Sequence, residues 1–113
     1  MPSFVELDSQ FRQFAELLGG IAEYVGLKPV LTSTVRSRRV QERLYRAYLR
    51  GERKYPAAPP GTSLHEKGLA FDMTVEPMEA LSALGALWKS FGPGFRWGGD
   101  FKANDPIHFE YRA

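Results

Sequence analysis

The stretch SLHEKGLAFDMTV, residues 63–75, carries the pattern on which the fold and the candidate site of this chain depend. From Leu69 onward, apolar and polar side chains alternate with a period of two, as in a strand with one buried face. The apolar face carries Leu69, Phe71, Met73 and Val75. The pattern predicts a strand over residues 69–75, with Asp72 on its polar face and His65 in the loop before it.

A second alternating stretch lies near the C-terminus, at residues 107–111. One face carries Ile107, Phe109 and Tyr111. The opposite face carries His108 and Glu110. If the apolar faces of both strands pack on helices, Asp72 and His108 project from the same open side of a sheet.

The N-terminal segment has the apolar spacing of an amphipathic helix. Its stripe comprises Phe11, Phe14, Ala15, Leu18, Ile21, Ala22 and Val25. Ser3 and Glu6 are placed to form a capping box at the start, and Gly26 is placed to end the helix. Gly19 and Gly20 in its interior argue against an unbroken helix.

The remaining elements complete an α+β pattern, because helices stand beside strands without regular alternation. The pattern predicts a strand over residues 30–35 and a helix over residues 38–49. It also predicts a proline-rich loop over residues 55–62 and a glycine-rich turn region over residues 92–100. The second helix would turn Val40, Leu44 and Ala47 or Tyr48 inward. A third helix begins at Pro77, with the stripe Met78, Leu81, Leu84, Trp88 and Phe91. We therefore expect a small antiparallel sheet, about three helices, and a site on the open face of the sheet.

Composition limits the classes of protein that the chain can belong to. Its 113 residues, of which 43% are hydrophobic, suit one globular domain over residues 1–113. The absence of cysteine excludes disulfides, thiolate metal sites and cysteine nucleophiles. No apolar run is long enough for a membrane span, and the N-terminus lacks the pattern of a signal peptide.

The net charge is +2, and basic residues concentrate in residues 36–54. The simplest interpretation is a solvated helix face. The alternative is a surface attracted to an anionic polymer, either nucleic acid or cell envelope.

The chain has two histidines, and both lie in the stretches that flank the open face. His65, Asp72 and His108 together would offer two imidazoles and one carboxylate. This donor set suits Zn²⁺ and leaves a fourth position for water, as a hydrolytic site requires. Taken singly, a histidine is more often an ordinary surface or core residue, and a strand aspartate is more often a cap or an ion-pair partner.

Four segments resemble the motifs of one enzyme family. Residues 63–72 fit S-x-H-x-x-G-x-A-x-D. WGGDF at residues 97–101 and DPIHFEY at residues 105–111 are similar to W-G-G-D-W and D-x-P-H-F-E-x, and TSTVRS at residues 32–37 is similar to T-S-G-Y-R-S. The chain thus resembles the zinc peptidases that include D-alanyl-D-alanine carboxypeptidases, D-Ala-D-Ala dipeptidases and phage L-alanyl-D-glutamate endopeptidases, a VanY-like group.

The resemblance implies a role for each residue of the candidate centre. His65, Asp72 and His108 become the ligands of Zn²⁺, and Asp105 becomes the catalytic base. A carboxylate near a metal-activated water can take its proton and then deliver it to the leaving amine. The alternative for Asp105 is a structural turn residue.

Arg36 matches the arginine that lies near the substrate in this family. A guanidinium there would clamp the carboxylate of the residue after the scissile amide or stabilise the oxyanion. Arg38 or Arg39 would take this role if the preceding strand ends earlier.

Three more residues are candidates by motif position. Ser63 would hydrogen-bond the substrate or cap its loop. Trp97 would line the cleft or pack in the core. Glu110 would support His108 from behind or form a structural salt bridge.

The resemblance implies a zinc-dependent hydrolase of peptidoglycan stem peptides. The aspartate at position 105, together with the WGGDF motif, favours an L-alanyl-D-glutamate endopeptidase, such as an endolysin catalytic domain. The alternatives are a D-alanyl-D-alanine carboxypeptidase, a zinc-stabilised cell-wall binding module and, on the arginine-rich helix alone, a nucleic-acid binder.

We expect a monomer that acts on the cell wall outside the cytoplasm and has neither a nucleic-acid partner nor a membrane span. Release through a phage-made lesion, carriage in a phage particle or loss of flanking sequence would reconcile this site of action with the missing signal peptide.

Overall fold

The computed structural model describes residues 2–113 and contains one four-stranded sheet. The strands are β1 (Val30–Ser33), β2 (Ala70–Thr74), β3 (Phe95–Trp97) and β4 (His108–Tyr111). They pair in the order β1-β2-β4-β3, and every pairing is antiparallel. The predicted α+β class with a small antiparallel sheet is confirmed.

Three helices accompany the sheet: α1 (Ser9–Tyr24), α2 (Arg38–Leu49) and α3 (Leu81–Lys89). Short 3₁₀ turns cover Phe4–Glu6, Leu64–Lys67, Met78–Ala80 and Gly98–Asp100. Among residues 2–113, no helix has both the length and the apolar character needed to cross a membrane.

The start of α1 corrects the predicted cap. Ser3 and Glu6 do form a capping box, but it caps the separate turn Phe4–Glu6. The carboxylate of Asp8 caps α1 instead, by accepting hydrogen bonds from the backbone N–H groups of Gln10 and Phe11. A capping box is local, so the sequence shows that a turn begins at Ser3 without showing how far it continues.

One face of the sheet packs on α1 and α3 through an aromatic core. Phe71 of β2 and Phe109 of β4 stack with ring centroids 5.2 Å apart, and Trp88 of α3 meets Phe71 edge-on at 5.4 Å. All three side chains are fully buried. The predicted alternation in β2 and β4 therefore holds, and it fixes which face of each strand remains for the site.

The second helix, α2, does not bury the stripe that the sequence predicts. Val40, Leu44 and Ala47 are only half-buried, Tyr48 is exposed, and Gln41 is the buried residue of this helix. The reason is that α2 lines the cleft on the polar side of the sheet and is not packed in the aromatic core. The most buried side chain of this helix is accordingly the polar Gln41.

The edge strand β3 lies where the sequence predicts only a glycine-rich turn. Its three residues pair with β4, matching Phe95 to Tyr111, Arg96 to Glu110 and Trp97 to Phe109. A strand of three residues between glycines is too short to show a recognisable period of two. Its extended conformation is stabilised by pairing with β4.

The close packing of α3 against β3 leaves no room for a side chain at Gly85. A Cβ atom at this position would lie 2.2 Å from the Trp97 ring, whereas a Cβ atom at Gly20 of α1 would meet nothing within 4 Å. We expect Gly85→Ala to lower the free energy of unfolding by about 1–3 kcal/mol through overpacking. Gly20→Ala should instead raise it by up to about 1 kcal/mol, because alanine is the better helix former. Urea denaturation measures both, and equal stabilities for the two variants would contradict the packing described here.

Candidate metal centre and active site

The 3₁₀ turn Leu64–Lys67 contains His65 and places its side chain beside the sheet. The hydroxyl oxygen of Ser63 accepts a hydrogen bond from the His65 backbone N–H at 3.2 Å, which caps the turn. Gly68 then ends it in the left-handed region, with φ of 73°. A side chain there would collide with the backbone nitrogen of Asp8, 2.9 Å from its Cβ position, so glycine is required for the chain to enter β2 directly.

His65, Asp72 and His108 meet at the polar face. Asp72 and His108 are register partners in β2 and β4. Oδ1 of Asp72 lies 3.2 Å from Nε2 of His65 and 3.1 Å from Nδ1 of His108. The three candidate ligand atoms all lie within 4.8 Å of one another.

This spacing fits a tetrahedral metal ion. Bonds of 2.0–2.1 Å to zinc place neighbouring ligand atoms about 3.3 Å apart. The distances from Oδ1 of Asp72 to the two imidazole nitrogens, 3.2 and 3.1 Å, are close to that value. The two imidazoles and one carboxylate that the sequence singles out are thus brought together in a geometry that could hold Zn²⁺.

Each imidazole is also held from its far side. Nδ1 of His65 lies 2.7 Å from the backbone oxygen of Thr34, and Nε2 of His108 lies 2.8 Å from Oε1 of Glu110. Such contacts fix the orientation of a metal-binding imidazole and leave its other nitrogen free for the ion. The sequence anticipates Glu110 in this position. It gives no sign of Thr34, since a carbonyl oxygen is present at every residue.

Arg36 is the arginine that reaches the centre, and Arg38 and Arg39 remain exposed on α2. Its Nη2 lies 2.8 Å from Oδ2 of Asp72, Nε donates to Oγ of Ser33, and Nη1 donates to Oε1 of Gln41. Only 8% of the Arg36 side chain is exposed. Burial lowers the pKa of Arg36, and the negative charge of Asp72 opposes that shift.

The charges around Asp72 keep it ionised. Burial alone would raise the pKa of this carboxyl, but hydrogen bonds from His108 and His65 hold it well below its usual range. Burial would likewise lower the pKa of His108, yet its hydrogen bonds to Asp72 and Glu110 raise that pKa to about 9. A metal ion would replace these protons as the positive partner of Asp72.

Asp105 lies in the same cleft with an unpaired carboxylate oxygen. Its exposed fraction is 8%, and Oδ1 finds no hydrogen-bond partner among residues 2–113. Burial, followed by the nearby charge of Asp72, raises the pKa of Asp105 to about 6. The backbone of Asp105 is fixed at both ends, because its N–H donates to Gly98 and its carbonyl accepts from His108. A rigidly held carboxyl with a raised pKa suits proton transfer near neutral pH.

Ser63 and Trp97 have different surroundings. Ser63 is buried and lines the cleft, with its oxygen engaged as the cap of the His65 turn. Trp97 does not belong to the cleft lining. Its indole ring packs over Gly85 and Gly99, and Nε1 donates to the backbone oxygen of Pro106 at 2.8 Å. Trp97 therefore supports the loop that carries Asp105.

The cleft has a volume of about 420 Å³ and is walled on one side by α2 and the proline-rich loop. Tyr45 and Tyr48 contribute from the helix. Arg96, Phe101 and Arg112 line the cleft from the β3–β4 region. The walls thus carry aromatic and cationic groups beside the carboxylates of Asp72, Asp105 and Glu110.

A family profile described as VanY, D-alanyl-D-alanine carboxypeptidase, matches residues 5–96. Among curated protein sequences, none matches the chain.

Solved structures give a broader comparison. A mutant of the vancomycin-resistance D,D-pentapeptidase VanY, from a VanB-type resistance cassette and in complex with Zn(II), has a TM-score of 0.65 at 21% identity over 93% of this chain and 72% of its own. VanYB in complex with D-alanine-D-alanine has a TM-score of 0.66 at 22% identity, over 95% and 72%. The Serratia marcescens L-Ala D-Glu endopeptidase ChiX has a TM-score of 0.66 at 19% identity, over 96% and 83%. At these identities, the likeness shows a shared fold.

Metal binding by the His65–Asp72–His108 cluster can be measured directly. We expect metal-free protein to take up Zn²⁺ and to gain about 2.7 kcal/mol in unfolding free energy at a free ion concentration 100 times the dissociation constant. His65→Ala and His108→Ala should lose this gain. Glu16→Gln, which removes an exposed carboxylate on α1, should keep it. Calorimetry with thermal unfolding checks the result, and a folded histidine variant that still binds like the wild type would exclude this cluster.

Proposed function

The chain belongs to the VanY family of D-alanyl-D-alanine carboxypeptidases, zinc metallopeptidases that act on peptidoglycan peptides, and on that premise we propose that it is an L-alanyl-D-glutamate endopeptidase. The observation that carries the hydrolytic part of this proposal is the unpaired carboxylate of Asp105 in the cleft of the His65–Asp72–His108 cluster. A module that only bound cell wall would have no use for a base held in this way.

We propose that His65, Asp72 and His108 hold Zn²⁺. When bound, zinc supplies a Lewis acid that polarises the amide carbonyl and lowers the pKa of water to roughly 7. The remaining chemistry belongs to side chains of the chain itself.

Asp105 acts as the general base and then as the general acid. As a carboxylate it accepts a proton from the attacking water, and as a carboxyl it returns that proton to the nitrogen of the leaving amine. A pKa near 6 keeps both forms accessible around neutral pH. The two backbone hydrogen bonds of Asp105 and the Trp97–Pro106 contact hold the carboxyl in place during both transfers.

Arg36 orients Asp72 and contributes to substrate binding. A guanidinium has five N–H donors, and contacts with Ser33, Gln41 and Asp72 engage three of them. The other two, on Nη1 and Nη2, have no partner among residues 2–113, and we propose that they bind a substrate carboxylate, because Arg36 lines the cleft. This matches the free carboxylate that D-Glu would present after the scissile amide.

The choice of the L-Ala–D-Glu bond rests on Asp105 itself. An aspartate at this position, after the WGGDF motif, resembles the endopeptidases of the family. The second candidate is D-alanyl-D-alanine carboxypeptidase activity, which the description of the matching family favours. Both bonds place a free carboxylate on the residue after the scissile amide, so Arg36 serves either substrate.

Loss of the base provides the mechanistic test. We expect Asp105→Asn to lower kcat on peptidoglycan peptides by about 10²–10⁴-fold, because amide nitrogen cannot accept the proton. Zinc affinity should be unchanged. Asp100→Asn, which removes an exposed partner of Lys89, is the matched control and should retain activity. If Asp105→Asn hydrolyses as fast as the wild type, the assignment of the base is wrong.

The bond cleaved is identified from the products of purified peptidoglycan. We expect new N-terminal D-Glu, detected by labelling of the amino termini and mass spectrometry. Release of free D-Ala without new D-Glu termini would select the carboxypeptidase. Binding without any release would select a non-catalytic cell-wall module.

A further inference from the structure

A row of arginines on the outer side of α2 and its C-cap has no part in the mechanism. Four side chains line one groove of about 220 Å³ together with Glu42: Arg39, Arg43, Arg46 and Arg50. With 3.6 residues per turn, these four positions lie within about 60° of one another around the helix axis. We call this row the arginine stripe. It is about 17 Å long, and all four arginines are exposed.

The helix itself separates the arginine stripe from the catalytic cleft. Gln41, Tyr45 and Tyr48 line the cleft, and their positions lie on the opposite side of α2 from the stripe. A helix with its side chains is about 10–12 Å across. A polymer bound to the stripe would therefore lie about one helix diameter from the wall of the cleft, without entering it.

The positive charge of the arginine stripe is only partly compensated. Nη2 of Arg46 lies 2.9 Å from Oε1 of Glu42, and Nη2 of Arg50 lies 3.0 Å from Oε1 of Glu52. The other two arginines of the stripe form no salt bridge within residues 2–113. Two positive charges are thus in excess, as many as the net charge of the whole chain. Because exposed ion pairs are weak, the two glutamates do not prevent a competing anion from binding.

The residue type of the stripe favours phosphate as the anion. Every basic residue of α2 is an arginine. A guanidinium presents a planar fork of N–H donors that binds phosphate oxygens in pairs, whereas the ammonium group of lysine acts as a point charge. Several such forks in a row suit the successive phosphate groups of an extended polymer.

The surroundings of the stripe distinguish between kinds of phosphate polymer. Single-stranded nucleic acid binds where aromatic side chains stack on its bases beside cationic groups, but Tyr45 and Tyr48 lie on the cleft side of α2. A helix on a lipid surface inserts the face opposite its charges, and that face of α2 covers the cleft. The family acts on peptidoglycan peptides, so a polymer of the cell wall is the phosphate polymer that such an enzyme meets.

We propose that the arginine stripe docks the enzyme on a cell-wall glycopolymer whose charge is carried by phosphodiester groups. A polymer anchored in the wall holds the cleft beside the stem peptides and raises their effective concentration, although it does not contact the reacting groups. The docking goes beyond the proposed function, because it does not depend on which peptide bond is cleaved.

The experiment compares zinc-loaded protein on purified cell walls before and after hydrofluoric acid has removed their phosphodiester polymer. We expect binding to untreated walls to be about five to ten times tighter, as a few exposed charge-assisted contacts allow. This binding should weaken about tenfold between about 50 and 200 mM salt, because phosphate contacts release counterions. Arg39→Gln combined with Arg43→Gln should lower the affinity for untreated walls to that for stripped walls. On a soluble stem peptide, kcat/KM should not change.

Arg12→Gln combined with Lys28→Gln is the matched control, because it removes the same charge from ion pairs with Glu16 and Glu76 outside α2. The control should keep the preference for untreated walls. An equal loss of affinity in both double variants would assign the effect to net charge and overturn the stripe. Equal binding of the wild type to stripped and untreated walls would overturn the polymer as the partner.

Calorimetry with soluble poly(glycerol phosphate), duplex DNA and vesicles of anionic phospholipid identifies the kind of partner. We expect the tightest binding to poly(glycerol phosphate), and tighter binding to DNA or to vesicles would overturn the proposal. The same measurements separate docking from hydrolysis. A wild type that binds the polymer but cleaves no peptidoglycan refutes the peptidase and supports the docking surface, whereas an active peptidase that does not bind the polymer refutes the docking surface alone.

Discussion

The buried carboxylate of Asp72 is the constraint around which the site is arranged. Its exposed fraction is 4%, and an ionised carboxylate at that depth must be paired. Two imidazoles approach Oδ1 and a guanidinium approaches Oδ2, so both oxygens are satisfied by groups from distant parts of the chain. The loop after β1, the 3₁₀ turn before β2, and strand β4 each contribute one partner, and their relative positions are fixed by this requirement.

The two faces of the sheet have different roles: one packs in the apolar core, and the other carries the polar side chains of the cleft. On one face, Phe71, Phe109 and Trp88 form a fully buried aromatic cluster that supplies the apolar burial of the fold. On the other face, polar side chains of the same two strands project into the cleft. Because alternate residues of one strand serve both faces, the core holds Asp72 and His108 in register without taking part in the reaction.

The loop after β3 likewise fixes the position of Asp105 through packing and hydrogen bonds of its backbone. Gly98 leaves no space for a side chain, since a Cβ atom there would lie 2.2 Å from the carbonyl oxygen of Asp105. Trp97 binds the next carbonyl, at Pro106, so the loop is held at two consecutive residues. A buried carboxylate oxygen without a partner is unfavourable for stability, and proton transfer is the task that we propose for this one.

The sequence by itself determined the period-two pattern of β2 and β4, the α+β class and the residues that carry the candidate chemistry. These are local properties: alternation assigns Asp72 and His108 to one face, and the motif around residues 63–72 identifies His65. Tertiary structure decided what depends on distant partners. It ordered β3 by pairing with β4, turned Gln41 instead of the apolar stripe of α2 toward the site, and selected Arg36 over Arg38 and Arg39. It also placed Trp97 behind the Asp105 loop, because the room for an indole at Gly85 exists only once α3 lies against β3.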